Sequence, residues 1–181
     1  MALTFALANP EHIDELCQLV NFSYRGEFSR LGWTTEADLL EGQRTDPHML
    51  RELMTPPDQV ILMASDPEHD QRIVGCVHLK KISPDSCQLG MLTVKPDLQN
   101  KGVGRQLLDE AEAWARSWSC KEMSLLIIQT RREVIDWYVR RGYKLNGEKK
   151  DFPYGDLRFG KPMREDLFFL VMTKALSVKI L

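Results

Sequence analysis

The residues with the clearest capacity for chemistry are Gly102 and Gly104 in the run Gln99-Asn100-Lys101-Gly102-Val103-Gly104-Arg105. They follow an apolar segment, Leu89 to Val94, that must stop near Val94, because Pro96 cannot donate to a sheet ladder and disfavours helix at Lys95. After the glycines, Val103, Leu107, Leu108, Ala111, Ala115 and Trp118 recur at helical spacing, with Arg105, Asp109, Glu112 and Arg116 mostly elsewhere on the wheel. A helix starting there presents N–H groups that lack internal partners, backed by the positive end of its dipole, and glycine lets a ligand approach its backbone. That combination is an anion site, suited to phosphate. A strand-to-helix turn also uses glycine for geometry alone. Two other phosphate motifs are excluded: a dinucleotide fingerprint needs Gly or Ala where Leu107 stands, and no Gly-Lys-Ser/Thr tripeptide follows.

No second constellation competes. Cys17, Cys76, Cys87 and Cys120 form no Cys-x-x-Cys pair and have no histidine at ligand spacing, so they read as reduced, packed thiols and no metal is expected. His12, His48, His69 and His78 are scattered; His78, on an expected strand, either faces a reaction or is satisfied within a sheet. A net charge of -2 lacks the basic excess of a nucleic-acid binder. No run approaches the ~18 apolar residues of a membrane span, and Met1-Ala2-Leu3-Thr4 does not begin like a signal peptide. The expectation is a cytoplasmic protein that engages neither nucleic acid nor membrane.

The elements that must position the turn can be read in order. The 181 residues, 43% hydrophobic, suit one domain over 1–181 with a tail at 175–181. Leu3 to Leu7 reads as a strand, and Asn9-Pro10-Glu11 caps a helix whose stripe runs Ile13, Leu16, Cys17, Val20, Tyr24, with Gly26 as its stop. Residues 27–54 read as two short helices, one after the cap-like Thr34-Thr35-Glu36 and one around His48 to Met54, forming either a substrate wall or a cover for the sheet. Gln59 to Ser65 and Ile73 to Lys80 form a hairpin about a polar turn at 66–70; Cys87 to Val94 follows. The unbroken Leu125-Leu126-Ile127-Ile128 suits a central strand buried on both faces. A helix over 130–141 ends at Gly142, strands follow at Tyr143 to Lys149 and Asp166 to Lys174, and the loop 151–162 carries three aromatics.

The order strand, Val94-Lys95-Pro96, Gln99-x-x-Gly102-x-Gly104, amphipathic helix closely resembles the acetyl-coenzyme A signature of the Gcn5-related N-acetyltransferase (GNAT) family. Thr130 to Tyr143, a helix with Tyr138 followed by Gly142 and an aromatic, resembles that family's second signature, except that Arg131 stands where many members carry asparagine. Arg131 then faces either a phosphate or solvent. The resemblance implies a mixed α/β fold, mostly antiparallel, in which two parallel strands splay to admit acetyl-CoA. It implies that backbone at Leu92, Thr93 and Val94 pairs with the pantetheine arm, and that Asn100, Lys101, Gly102, Val103, Gly104 and Arg105 surround the pyrophosphate, with Gln99 shaping the turn.

The implied reaction is direct acetyl transfer from acetyl-CoA to a primary amine of a small molecule, peptide or protein. Tyr138 is the expected general acid, since a phenol is protonated at neutral pH. For the base, many members use a glutamate where this chain has Gln88, which leaves a water relay, Glu36 or Asp151. Two other readings stay open: a non-catalytic acyl-CoA-binding sensor, and a partner-docking module using Trp33 and the Phe152 to Phe159 loop. Self-association as a homodimer is also left open.

Overall fold

The computed structural model describes residues 2–68 and 71–176. Seven strands form one sheet: β1 (Thr4–Leu7), β3 (Gln59–Asp66), β4 (Arg72–Ser83), β5 (Ser86–Val94), β6 (Glu122–Ile128), β7 (Lys144–Asp151) and β9 (Phe168–Ala175). Two short strands, β2 (Leu40–Glu41) and β8 (Lys161–Pro162), make a separate ribbon. The helices are α1 (Ile13–Tyr24), the single turn α2 (Gly26–Ser29), α3 (Pro47–Met54), α4 (Val103–Ser117) and α5 (Arg132–Val139). The sheet order is β1-β3-β4-β5-β6-β9-β7, antiparallel throughout except for the parallel pair β5–β6.

Strand alternation divides the core between two faces. On β3, Leu62 and Ala64 pack toward α4, while Ile61 and Met63 pack toward α1 and α3. On β5 the alternation breaks. Cys87 and Leu89 lie in the α4-side core, Met91 lies in the α1 side, and Leu92 and Val94 pack back on the α4 side. The cause is a β-bulge: His78 pairs with Gly90 and Cys76 with Thr93, so Met91 and Leu92 together oppose Val77. Met91 takes the left-handed φ of 52°. The bulge bends β5, and its pairing with β6 ends at Leu89–Leu125 although both strands run on. The expected splay of the two parallel strands is present.

Several expected elements shift. Thr34-Thr35-Glu36 starts no helix; after α2 the chain turns into the β2–β8 ribbon, and Glu36 is buried. β6 is central, but Leu126 is 40% exposed, because beyond Leu125 the strand has lost its neighbour on one side. α1 stops where expected, at Tyr24 with Arg25 as its C-cap, and Gly26 directly after takes φ 68° and also starts α2. The tail expected at 175–181 is described only for Ala175, which ends β9, and Leu176; the turn expected at 66–70 is described only to Glu68.

All four cysteines are free thiols, and burial pushes Cys76 and Cys87 up to about 12. His78, on β4, is half-buried with Nε2 2.8 Å from Gln59 Oε1 on β3. Burial, with Lys80 and Arg44 nearby, lowers its pKa from 6.5 to about 4. The folded chain therefore refuses a proton that the unfolded chain accepts, so stability is complete above pH 6.5 and falls as the pH drops toward 4. The loss is up to about 3 kcal/mol. Urea denaturation at pH 7 and pH 5 is expected to show a smaller acid-induced loss in His78→Gln than in the wild type. Equal losses would contradict this account of His78.

Candidate functional site

The splay opens a cleft of about 690 Å³ between β5 and β6. One wall is the backbone from Gln88 to Val94, the other Leu125 to Ile128, with the start of α4 and the inner side of α5 at one end. Both strands leave edges there without a strand partner, which is where an extended ligand with amide groups can pair.

At the turn, Gly102 has φ 84° and is the N-cap residue of α4, with no side chain capping it and no acid in the first turn. The N–H groups that open α4 are thus left for a ligand. The two glycines serve different needs. Gly102 supplies the left-handed backbone in open space, whereas a Cβ on Gly104 would come within 3.4 Å of the Trp137 ring and Val94. Arg105, Arg140 and Arg141 face the cleft at this end, and Arg141 stacks 3.6 Å from the Trp137 ring centroid. They add positive charge where phosphate would sit.

Gln99 does more than shape the turn. Its Nε2 donates to Thr34 Oγ1 at 2.8 Å and to the Val94 carbonyl at 3.2 Å, and its Oε1 accepts from the Trp33 N–H at 2.9 Å. Gly32 makes room for it, since a Cβ there would lie 2.5 Å from Gln99 Oε1. One amide thereby fastens the segment after α2 to the end of β5.

Facing the cleft from the α1 side is a charged cluster. Glu36, only 6% exposed, binds Arg25 through Oε2 and Arg131 through Oε1. Arg25 also donates to the Phe159 carbonyl at 2.8 Å, and Arg131 to the Thr34 carbonyl at 2.6 Å. Burial alone would raise the Glu36 pKa, but Arg131, Arg25 and Arg44 outweigh it and hold the carboxyl below its ordinary value. A carboxylate so paired is a poor proton acceptor. Arg131 therefore faces neither phosphate nor bulk solvent, as it ties α5 to the wall through Glu36.

Tyr138 lines the cleft at 5% exposure, and burial pushes its phenol above its ordinary value, with Tyr24 adding to the shift. Its hydroxyl has no hydrogen-bond partner among the described residues. Tyr24, by contrast, donates to the Leu92 carbonyl at 2.7 Å. Of the residues expected around the cofactor, Leu92, Val94, Gln99, Asn100, Gly102, Gly104 and Arg105 line the cleft. The side chains of Thr93, Lys101 and Val103 do not: Thr93 is buried with Oγ1 donating to the Met91 carbonyl, Val103 is in the core, and Lys101 is exposed. Asp151 lies on the exposed edge strand β7, outside the cleft lining. Trp33, Phe152 and Phe159 face the cleft, as do His78 and Gln88.

Sequence reasoning missed Tyr24, Arg25, Arg44, Arg140 and Arg141 as cleft residues. Tyr24 showed only as part of an apolar helical stripe, and the arginines carried no spacing signal. Among the described residues no group of three His, Cys, Asp or Glu side chains is placed to hold a metal ion. No helix among them is long and apolar enough to cross a membrane.

Comparison with known proteins agrees with this geometry. An uncharacterized N-acetyltransferase of Mycobacterium tuberculosis is 29% identical over 98 residues, covering 54% of this chain and 61% of that protein. The amino-acid acetyltransferase of Azotobacter vinelandii is 32% identical over 84 residues, 46% of this chain and 18% of that protein. The chain thus spans less than two thirds of either relative. Among solved structures, the ribosomal-protein-S18-alanine N-acetyltransferase from Escherichia coli superposes with a TM-score of 0.69 at 12% identity over 99% of both chains. A putative streptothricin acetyltransferase from Bacillus anthracis, in complex with acetyl coenzyme A, gives 0.57 at 20% identity over 70% of this chain and 68% of that one. These likenesses show the fold. The Acetyltransferase (GNAT) family model matches residues 14–143, and the chain belongs to that family.

Proposed function

We propose that the protein is an N-acetyltransferase that uses acetyl-CoA to acetylate a primary amine. The observation that carries this reading is the cleft itself: two splayed strand edges leading to an uncapped helix start at Gly102, with Tyr138 on its wall. The thioester arm extends along Leu92 and Val94. The pyrophosphate rests against the first N–H groups of α4, flanked by Arg105, Arg140 and Arg141. The solved relative that holds acetyl-CoA shares this fold, which supports the choice of donor.

In the reaction the amine nitrogen attacks the thioester carbonyl, the C–S bond breaks, and coenzyme A leaves as thiolate while the nitrogen loses its extra proton. A thiol's ordinary pKa of about 8.5 makes that departure feasible. Because the Tyr138 phenol is raised above its ordinary value, complete proton transfer to the sulfur runs uphill. Tyr138 acts chiefly as a hydrogen-bond donor that stabilises the departing thiolate as charge develops. On the amine side, Glu36 is held by arginines, Gln88 cannot take a proton, and His78 titrates near 4. The acceptor therefore gives its proton to water. The surplus of arginines in the cleft assists, because it disfavours the ammonium form.

The experiment is release of coenzyme A thiol from acetyl-CoA in the presence of a broad amine panel. Tyr138→Phe is expected to lower kcat about a hundredfold while the Kd for acetyl-CoA stays within about twofold by calorimetry. Unchanged kcat would remove Tyr138 from the chemistry. Background turnover across the panel with tight cofactor binding would favour an acyl-CoA sensor instead.

A further inference from the structure

Six arginines and one acid line the cleft, and two of those arginines, Arg141 on Trp137 at the helix start and Arg44 beside Tyr24, have a defined pose without an ion-pair partner among the described residues. Arg44 is half-buried, and its guanidinium carbon lies 5.5 Å from the Tyr24 ring centroid and 5.8 Å from that of Phe159. Among the described residues it forms no ion pair, whereas Arg25 and Arg131 use both oxygens of Glu36. The two rings flank the guanidinium, and its side-chain N–H groups make no hydrogen bond among the described residues, which leaves them for a planar, bidentate partner.

The position of Arg44 is built by three elements. From α1, Asn21 Oδ1 accepts the backbone N–H of Arg44 at 2.6 Å and of Thr45 at 3.2 Å, and Asn21 Nδ2 donates back to the Thr45 carbonyl at 2.9 Å. The β2–β8 ribbon precedes it, and Gln43 Nε2 donates to the Arg158 carbonyl, so the 157–160 segment and residue 44 are fixed together. Arg44 lines the cleft together with His78 of β4 and the β5 backbone beside the splay. Arg25 adds a buried Nε that has no partner. This part of the cleft holds more donors and more positive charge than its own acceptors satisfy.

We propose that the acceptor is a primary amine that also carries a carboxylate, an amino acid in the simplest case, and that Arg44 binds that carboxylate. The inference rests on the acetyltransferase reading given above. A carboxylate on Arg44 completes the charge balance, whereas a second cationic group on the acceptor would meet arginines with no free acid to receive it. The apolar lining of Leu40, Phe152 and Phe169 beside the arginines suits the hydrocarbon part of such a molecule.

The test assays the twenty amino acids one by one against their carboxamides, reading thiol release, with calorimetric titration of the same pairs into coenzyme A-saturated protein. The best amino acid is expected to exceed its carboxamide in kcat/KM by at least about tenfold. Arg44→Gln raises the KM for the acid and closes that gap, Arg44→Lys restores part of it, and the Kd for acetyl-CoA is the same in both variants. Carboxamides used as well as acids, or Arg44→Gln reducing both alike, would overturn the assignment and leave the enzyme reading standing. Carboxylate binding that is lost in Arg44→Gln, with no turnover of any amine, would uphold Arg44 as a carboxylate site but overturn the acceptor assignment together with the enzyme reading. Neither binding nor turnover of any amino acid overturns the assignment.

Discussion

Everything in the cleft depends on one backbone constraint, the left-handed turn at Met91 inside β5. A sheet gains most when its strands pair along their whole length, and β5 could continue beside β6 past Leu89. It does not, because two residues are spent opposite Val77 and the strand bends away. A non-glycine residue at φ 52° costs of order 1 kcal/mol and persists only where its surroundings determine it. Here they do: β4 pairs with β5 on both sides of the bulge, and the Met91 side chain is packed in the α1-side core. The result is a gap in an otherwise continuous sheet, with backbone groups on its rim.

The second requirement is that the gap keep its walls. Two side chains do this by bridging segments far apart in sequence. Gln99 joins the Trp33 backbone and the Thr34 hydroxyl to Val94, and Glu36 joins α1, through Arg25, to α5, through Arg131. Breaking such a buried ion pair by removing one member costs about 3–5 kcal/mol, because the remaining charge is stranded. The same cluster determines the chemistry, since a carboxylate committed to two arginines is no base. Structure and mechanism are coupled through Glu36.

Much of this was legible before any coordinates. Pro96, Gly102 and the helical stripe after it located the strand end, the turn and the start of α4, because proline and glycine act locally and need no tertiary context. Long periodic elements such as α1 and α4 were equally plain. The bulge was not, since Leu89 to Val94 is apolar on both parities and hides the shift from one face to the other. Thr34-Thr35-Glu36 looked like a helix cap because capping is a local signal, whereas the fate of Glu36 was decided by arginines at positions 25 and 131. Arg44 carried no signal at all, because its role follows from two rings and an asparagine brought together by the fold.

The most direct test of the account is calorimetric titration of acetyl-CoA into the purified protein and into Gly104→Glu. A Cβ there touches Trp137 and Val94 at 3.4 Å, and a glutamate's charge opposes a phosphate at the start of α4. The account predicts one-to-one binding by the wild type and a loss of at least a hundredfold in affinity, about 2.7 kcal/mol, in a variant whose far-ultraviolet circular dichroism is unchanged. Equal affinity in the two proteins, or no binding by folded wild type, would contradict it.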